Sequence, residues 1–105
     1  MKEIKAFIHR NRISDVVHAL KQAGHKYISV VDVLGMLKAL DDQEQQYSVE
    51  IGTKVISEIK LELVCDEQLV DAAIDIISVN ARTGQKTAGW LYVTDIEKFI
   101  KIDGL

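Results

Sequence analysis

The ten residues Ala81-Arg82-Thr83-Gly84-Gln85-Lys86-Thr87-Ala88-Gly89-Trp90 hold two glycines, two threonines and two cations. Backbone N–H groups in glycine-rich turns converge on negative charge, so this composition suits a cradle for an anion such as phosphate. The plainer reading is a helix stop and a turn that lead into the strand-like run Trp90-Leu91-Tyr92-Val93. Trp90 itself either stacks on a planar ligand or fills the cleft beside it. No Cys–His or Ser–His–Asp arrangement has supporting context, and no spacing of metal ligands stands out. The chain therefore reads as a non-enzyme with no metal expected. His9, His18 and His25 read as surface residues. The alternative is a metal site made by copies of one histidine in a symmetric oligomer. Cys65 reads as a small buried residue rather than a ligand or redox group.

Composition sets the frame for that loop. The 105 residues fit one domain spanning 1–105, and 48% hydrophobic with 28% charged residues is ordinary for a globular protein. A net charge of −3 argues against nucleic-acid binding, which usually shows a basic surplus. No apolar run approaches the roughly 18 residues of a membrane span. The start Met1-Lys2-Glu3-Ile4-Lys5 lacks a secretory pattern, and the single cysteine allows no internal disulfide. The expected location is cytoplasmic, with no membrane insertion.

The elements that must position the loop follow from periodicity. Ile4, Ala6 and Ile8 alternate with Lys5, Phe7 and His9, as in a strand with one buried face. Ile13, Val16, Val17 and Leu20 mark one helix face, with Ser14 as its cap and Gly24 at its C-terminus. Residues 27–34 read as a second strand. From 36 to 54 the pattern is lost in a polar, amide-rich stretch, read as a long loop. Residues 55–63 alternate again, with Ile59, Leu61 and Leu63 on one side. Asp66 is placed as the cap of a second helix that buries Leu69, Ala72, Ala73, Ile76 and Ile77. The polar loop and a strand from Trp90 to Thr94 come next, and residues 95–102 are read as a short helix or strand.

Strand-helix-strand, long loop, strand-helix-strand is the α+β, ferredoxin-like βαββαβ plan. Right-handed crossovers place both helices on one face of a four-stranded antiparallel sheet. The other face then carries Phe7, Ser29, Val31, Val33, Glu58, Lys60, Glu62, Trp90 and Tyr92. That mixture is too apolar at its centre to be simply solvated, so a closed oligomer covering it is expected.

The chain resembles the PII signalling family along nearly its whole length. Ala81-Arg82-Thr83-Gly84 matches the ARTG run that starts the PII B-loop, Gly89 matches the glycine that closes it, and Gly35 falls where the PII T-loop opens. The resemblance implies a homotrimer with adenine-nucleotide sites in its inter-subunit clefts. It also implies a role in signal transduction and nitrogen regulation, with a target transporter or enzyme engaged through the 36–54 loop. Carried over by position, the nucleotide pocket comprises Ser29, the backbone near Leu37 and Lys38, Val64, Thr83, Gly84, Thr87, Ala88, Gly89, Trp90 and Lys101.

The chain departs from the family pattern where charge matters. Trp90 stands where the family has a phosphate-binding lysine, and Asp103 stands at a second basic position. Each missing charge-assisted contact is worth roughly 1.5–3 kcal/mol. The expectation is ADP or AMP in preference to Mg-ATP with 2-oxoglutarate. Ala39 replaces a glutamine, and Glu58 replaces the lysine that pairs with the oxoglutarate carboxylate. The positions of the modified tyrosine and serine fall on Ile51 and Val49, with Tyr47 nearby. Two alternatives remain at this level: a metal-binding trimer of the divalent-cation-tolerance type, and an interaction module without a ligand.

Overall fold

The computed structural model describes residues 1–32 and 58–105. The expectations for Val33, Gly35, Leu37, Lys38, Ala39, Tyr47, Val49 and Ile51, and for the 36–54 loop, lie outside the described residues. The elements are β1 (Lys2–His9), a 3-10 turn (Arg10–Arg12), α1 (Ile13–Gln22), β2 (Tyr27–Asp32), β3 (Glu58–Cys65), a second 3-10 turn (Glu67–Leu69), α2 (Val70–Asn80) and β4 (Gly89–Asp95). The strands form one sheet in the order β2-β3-β1-β4, every pairing antiparallel. This is the expected ferredoxin-like plan.

Alternation along β1 decides which face is covered. Ile4, Ala6 and Ile8 are buried, and they meet Leu61, Leu63, Val16, Leu20, Ala73 and Ile77 in one core. Truncating a core residue such as Leu61 to alanine is expected to cost about 2–5 kcal/mol. On α1, Val16 and Leu20 are buried while Ile13 and Val17 pack against them, as the spacing predicts.

Four local expectations need correction. Ser14 does not cap α1. The chain enters through the 3-10 turn, where the His9 side chain accepts from the Asn11 amide. Asp66 holds the extended cap position, but its side chain makes no cap bond; its backbone carbonyl accepts from Leu69 N at 2.9 Å. On α2 Ala73 and Ile77 are buried and Ile76 packs against the core as expected, joined by Val70 and Ile74, but residues 67–69 wind as a 3-10 turn and Leu69 and Ala72 are exposed. Residues 96–105 form neither helix nor strand. Among the described residues no strand pairs with them.

The C-terminus of α1 behaves as expected. Gly24 has φ +95°, His25 N donates to Leu20 O at 3.1 Å, and Gly24 N donates to Lys21 O at 3.0 Å. These two bonds are a Schellman closure, which needs a residue tolerant of the left-handed region. It turns the chain directly into β2. The far end of β2 is tied back by Arg10, whose two terminal nitrogens donate to Asp32 at 2.5 and 2.7 Å.

Candidate functional site

The sequence-derived site residues fall at two corners of the sheet. The first corner surrounds the start of β4. Here α2 ends with Ala81 N donating to Ile77 O, and the Arg12 Nε donates to Asn80 O at 2.9 Å. Asn80 also folds its amide back onto Ile76 O at 2.8 Å. These bonds satisfy carbonyls that a helix end leaves open. The loop then turns through Gly84 at φ +87°, with Gln85 N donating to the Thr83 hydroxyl at 3.3 Å. Gly89 runs against β1 so closely that a Cβ there would lie 2.2 Å from the Phe7 carbonyl oxygen. Only glycine fits that approach.

This packing leaves a cavity of about 530 Å³ beneath the loop. Its apolar wall is Ala6, Ile8, Ile77 and Leu91, and Arg82 and Lys86 bring cations to its lining. The volume and the mix of apolar wall with few polar groups suit a small ligand. Gly84, Thr87, Ala88, Gly89 and Trp90 line it; Thr83 does not, and instead braces the turn. Trp90 is half exposed and stacks on Phe7, with ring centroids 5.0 Å apart and planes 23° apart. Tyr92 tilts against the same Phe7 at 6.3 Å.

The second corner lies on β2. Tyr27 and Ser29 share the helix-free face, and Tyr27 stands opposite Val64 in register. The C-terminal segment returns to this corner. Phe99 meets Tyr27 edge-on at 4.8 Å and 67°, and the Lys101 ammonium sits 5.7 Å from the Tyr27 ring centre. The Tyr27 hydroxyl, as hydrogen-bond partner and then by charge, holds the Lys101 ammonium above the usual lysine value. Ser29, Val64 and Lys101 are thus brought together around a residue that sequence reasoning missed. Phe7 was missed as well, whereas Arg82 and Lys86 are the two cations of the loop that the sequence marks as an anion cradle.

The two corners are far apart in one chain. β2 and β4 are the two edges of the sheet, three strand spacings or about 14 Å from each other. Along the strands, Tyr27 and Val64 align through Glu3 with Thr94, four residues beyond Trp90 and so about 13 Å away. Between the corners the open face carries the pairs Lys5–Glu3 at 3.5 Å and Lys60–Glu62 at 3.1 Å. Glu58 opens β3 opposite His9.

Among the described residues, no group of three or more histidine, cysteine or acidic side chains is arranged to hold a metal ion. No helix among them is long and apolar enough to cross a membrane. Cys65 is buried; burial, and then the nearby Asp66 charge, push its thiol up. That is the opposite of what a reactive thiolate requires.

A model of the family described as nitrogen regulatory protein P-II matches residues 1–104. The chain is 30% identical over 102 residues to nitrogen regulatory protein P-II 1 of Methanothermobacter thermautotrophicus, covering 97% of this chain and 89% of that protein. It is 31% identical to nitrogen regulatory protein P-II of Rhodobacter capsulatus over 97% of this chain and 91% of that protein. For nitrogen regulatory protein P-II 1 of Escherichia coli the identity is 29%, with the same coverage. The chain belongs to the nitrogen regulatory protein P-II family, whose members are regulatory proteins and not enzymes.

Proposed function

We propose that this single-domain chain is a homotrimeric regulator that binds an adenine nucleotide between subunits and acts on a target protein through residues 36–54. The observation that carries this reading is the separation of the two corners. Ser29 and Lys101 lie at the β2 edge with Val64 on the neighbouring strand, and the loop ending in Trp90 lies at the other edge. One chain brings its β2 corner to its neighbour's β4 corner, and each shared site receives both. The exposed rings of Trp90, Tyr92 and Tyr27 on the helix-free face supply the apolar surface that such an assembly would bury.

The site chemistry favours a short phosphate chain. Apolar cavity walls receive the base, and Arg82, Lys86 and Lys101 receive phosphate oxygens through charge-assisted bonds. Trp90 offers a ring and no charge where a triphosphate would need a cation, so ADP or AMP binds in preference to Mg-ATP with 2-oxoglutarate. The target is a transporter or an enzyme, and the protein works in the cytoplasm. Calorimetric titration with ATP, ADP, AMP and cyclic AMP, alongside light scattering, tests the reading. Binding of ADP or AMP by a trimer supports it; a monomer, or no binding by any of the four, contradicts it.

A further inference from the structure

We propose that Arg12 is the positioning residue for the 81–90 loop: it sets the direction in which the loop leaves α2 and offsets the negative end of that helix against a bound anion. This inference rests on the nucleotide reading for the identity of the anion, but the seating stands on its own geometry. The loop begins at the peptide between Asn80 and Ala81, and both polar atoms of that peptide are bonded. Ala81 N donates to Ile77 O at 2.9 Å, and Asn80 O accepts from Arg12 Nε at 2.9 Å. A peptide unit is planar, so bonds at both of its polar atoms fix its orientation. The first bond belongs to the helix itself. The second is supplied across 68 residues of sequence, from the turn that precedes α1. That turn is braced in its own right. The His9 side chain accepts from Asn11 N, Arg10 grips Asp32, and Asp15 holds Arg12 Nη1 at 2.9 Å.

Charge gives the contact a second consequence. A helix C-terminus carries partial negative charge, which a cation in the last turn offsets. The last turn of α2 holds no basic residue. Yet Ile77, Ser78 and Ala81, at this end of the helix, line the cavity beneath the loop. An anion held by the loop therefore meets the unfavourable end of α2, and Arg12 places a cation on its terminal carbonyl. Asp15 does not cancel that cation, because its side chain is 58% exposed and water screens the pair. Arg12 is not part of the cavity lining, so it acts through the helix end and not by touching the ligand.

Three substitutions separate the bond from the charge. In Arg12→Gln the side-chain amide nitrogen takes the place of Nε, so the donor stays and the charge goes. Arg12→Lys keeps the charge but puts a methylene where Nε was. Arg12→Ala removes both. Hydrogen exchange of the Ala81 amide reads the seating without any ligand. It is expected to be roughly two- to tenfold faster in Arg12→Ala and Arg12→Lys and unchanged in Arg12→Gln. Calorimetric titration with inorganic pyrophosphate and with ADP reads the charge. Pyrophosphate affinity is expected to fall roughly two- to fivefold in Arg12→Gln and further in Arg12→Ala, with Arg12→Lys binding more tightly than Arg12→Ala. Wild-type exchange in Arg12→Ala, or wild-type pyrophosphate affinity in Arg12→Gln, would overturn the inference. So would a wild type that binds neither ligand. Pyrophosphate binding without ADP binding removes the nucleotide reading and leaves this one standing.

Discussion

The two corners of the sheet are built by different means. The β4 corner is assembled from ten consecutive residues, shaped by Gly84 at positive φ and by the contact of Gly89 with the Phe7 carbonyl. The β2 corner is assembled from residues up to 74 positions apart, Tyr27 and Lys101, held by side chains alone. A corner built from backbone restraints tolerates little substitution but leaves a trace in the sequence. One built from side-chain contacts leaves no local trace: Ser29, Val64 and Lys101 were reached only through the family resemblance, and no local rule links a tyrosine near position 27 to a lysine near the C-terminus.

The largest effect is expected at the β4 corner. Gly89→Ala drives a methyl group into backbone that cannot move aside, and should cost about 1–3 kcal/mol, at the upper end of that range. Urea unfolding of the variant reads it directly, and a loss near zero would mean that β4 can shift away from β1. Trp90→Lys sharpens the comparison from the ligand side. It removes the stack on Phe7 but returns a cation, and should raise ATP affinity about tenfold relative to ADP, the size of one charge-assisted contact. Competition calorimetry measures that ratio; an unchanged ratio would show that Trp90 does not set the phosphate preference.

At the β2 corner the expected cost is smaller. Tyr27→Ala removes the edge-on pair with Phe99, worth about 0.5–1.5 kcal/mol in thermal unfolding. A loss near zero would mean that Phe99 does not hold the C-terminal segment to β2. The smallest effect concerns Asp95, where the tail leaves the sheet. The Lys2 hydrogen bond, and then the Lys2 charge, hold its carboxyl below the ordinary carboxylate range. A depressed value stabilises the fold above the unfolded-state value, and that contribution is lost as pH falls through the folded one. Asp95→Asn should therefore flatten the acid limb of the stability curve slightly. Superimposable acid limbs for the two proteins would remove the pair from the account.

These differences also explain what was legible in the residues. The strand alternation of β1 and β3, the α1 stripe from Ile13 to Leu20 and the Gly24 closure follow local rules, and the fold carries them out. Ala73, Ile76 and Ile77 of α2 pack where their spacing puts them, but Leu69 was misread as part of that face because it extends an apolar pattern that the 3-10 turn interrupts. Ser14 looks like a cap only while the turn at Arg10–Arg12 is unseen. The extended tail looks like an element because Phe99 and Lys101 alternate with Ile100 and Ile102, yet that alternation serves Tyr27 rather than a strand partner. For the site, the loop motif exposed one corner, whereas Tyr27 and Phe7 emerged only from the register.

If one copy's β2 corner and another copy's β4 corner complete each ligand site, as proposed, subunit complementation restores the binding that the loss of either corner weakens. Lys101→Ala impairs the first corner and Lys86→Glu the second, so each variant alone should bind ADP at least about tenfold more weakly. When the two are unfolded together and refolded as a mixture, about one quarter of the sites should combine two intact corners and regain wild-type affinity under random assembly. Recovery of that fraction by calorimetry is the predicted result. A mixture that binds no better than its parents, while the wild type binds ADP normally, would contradict the account.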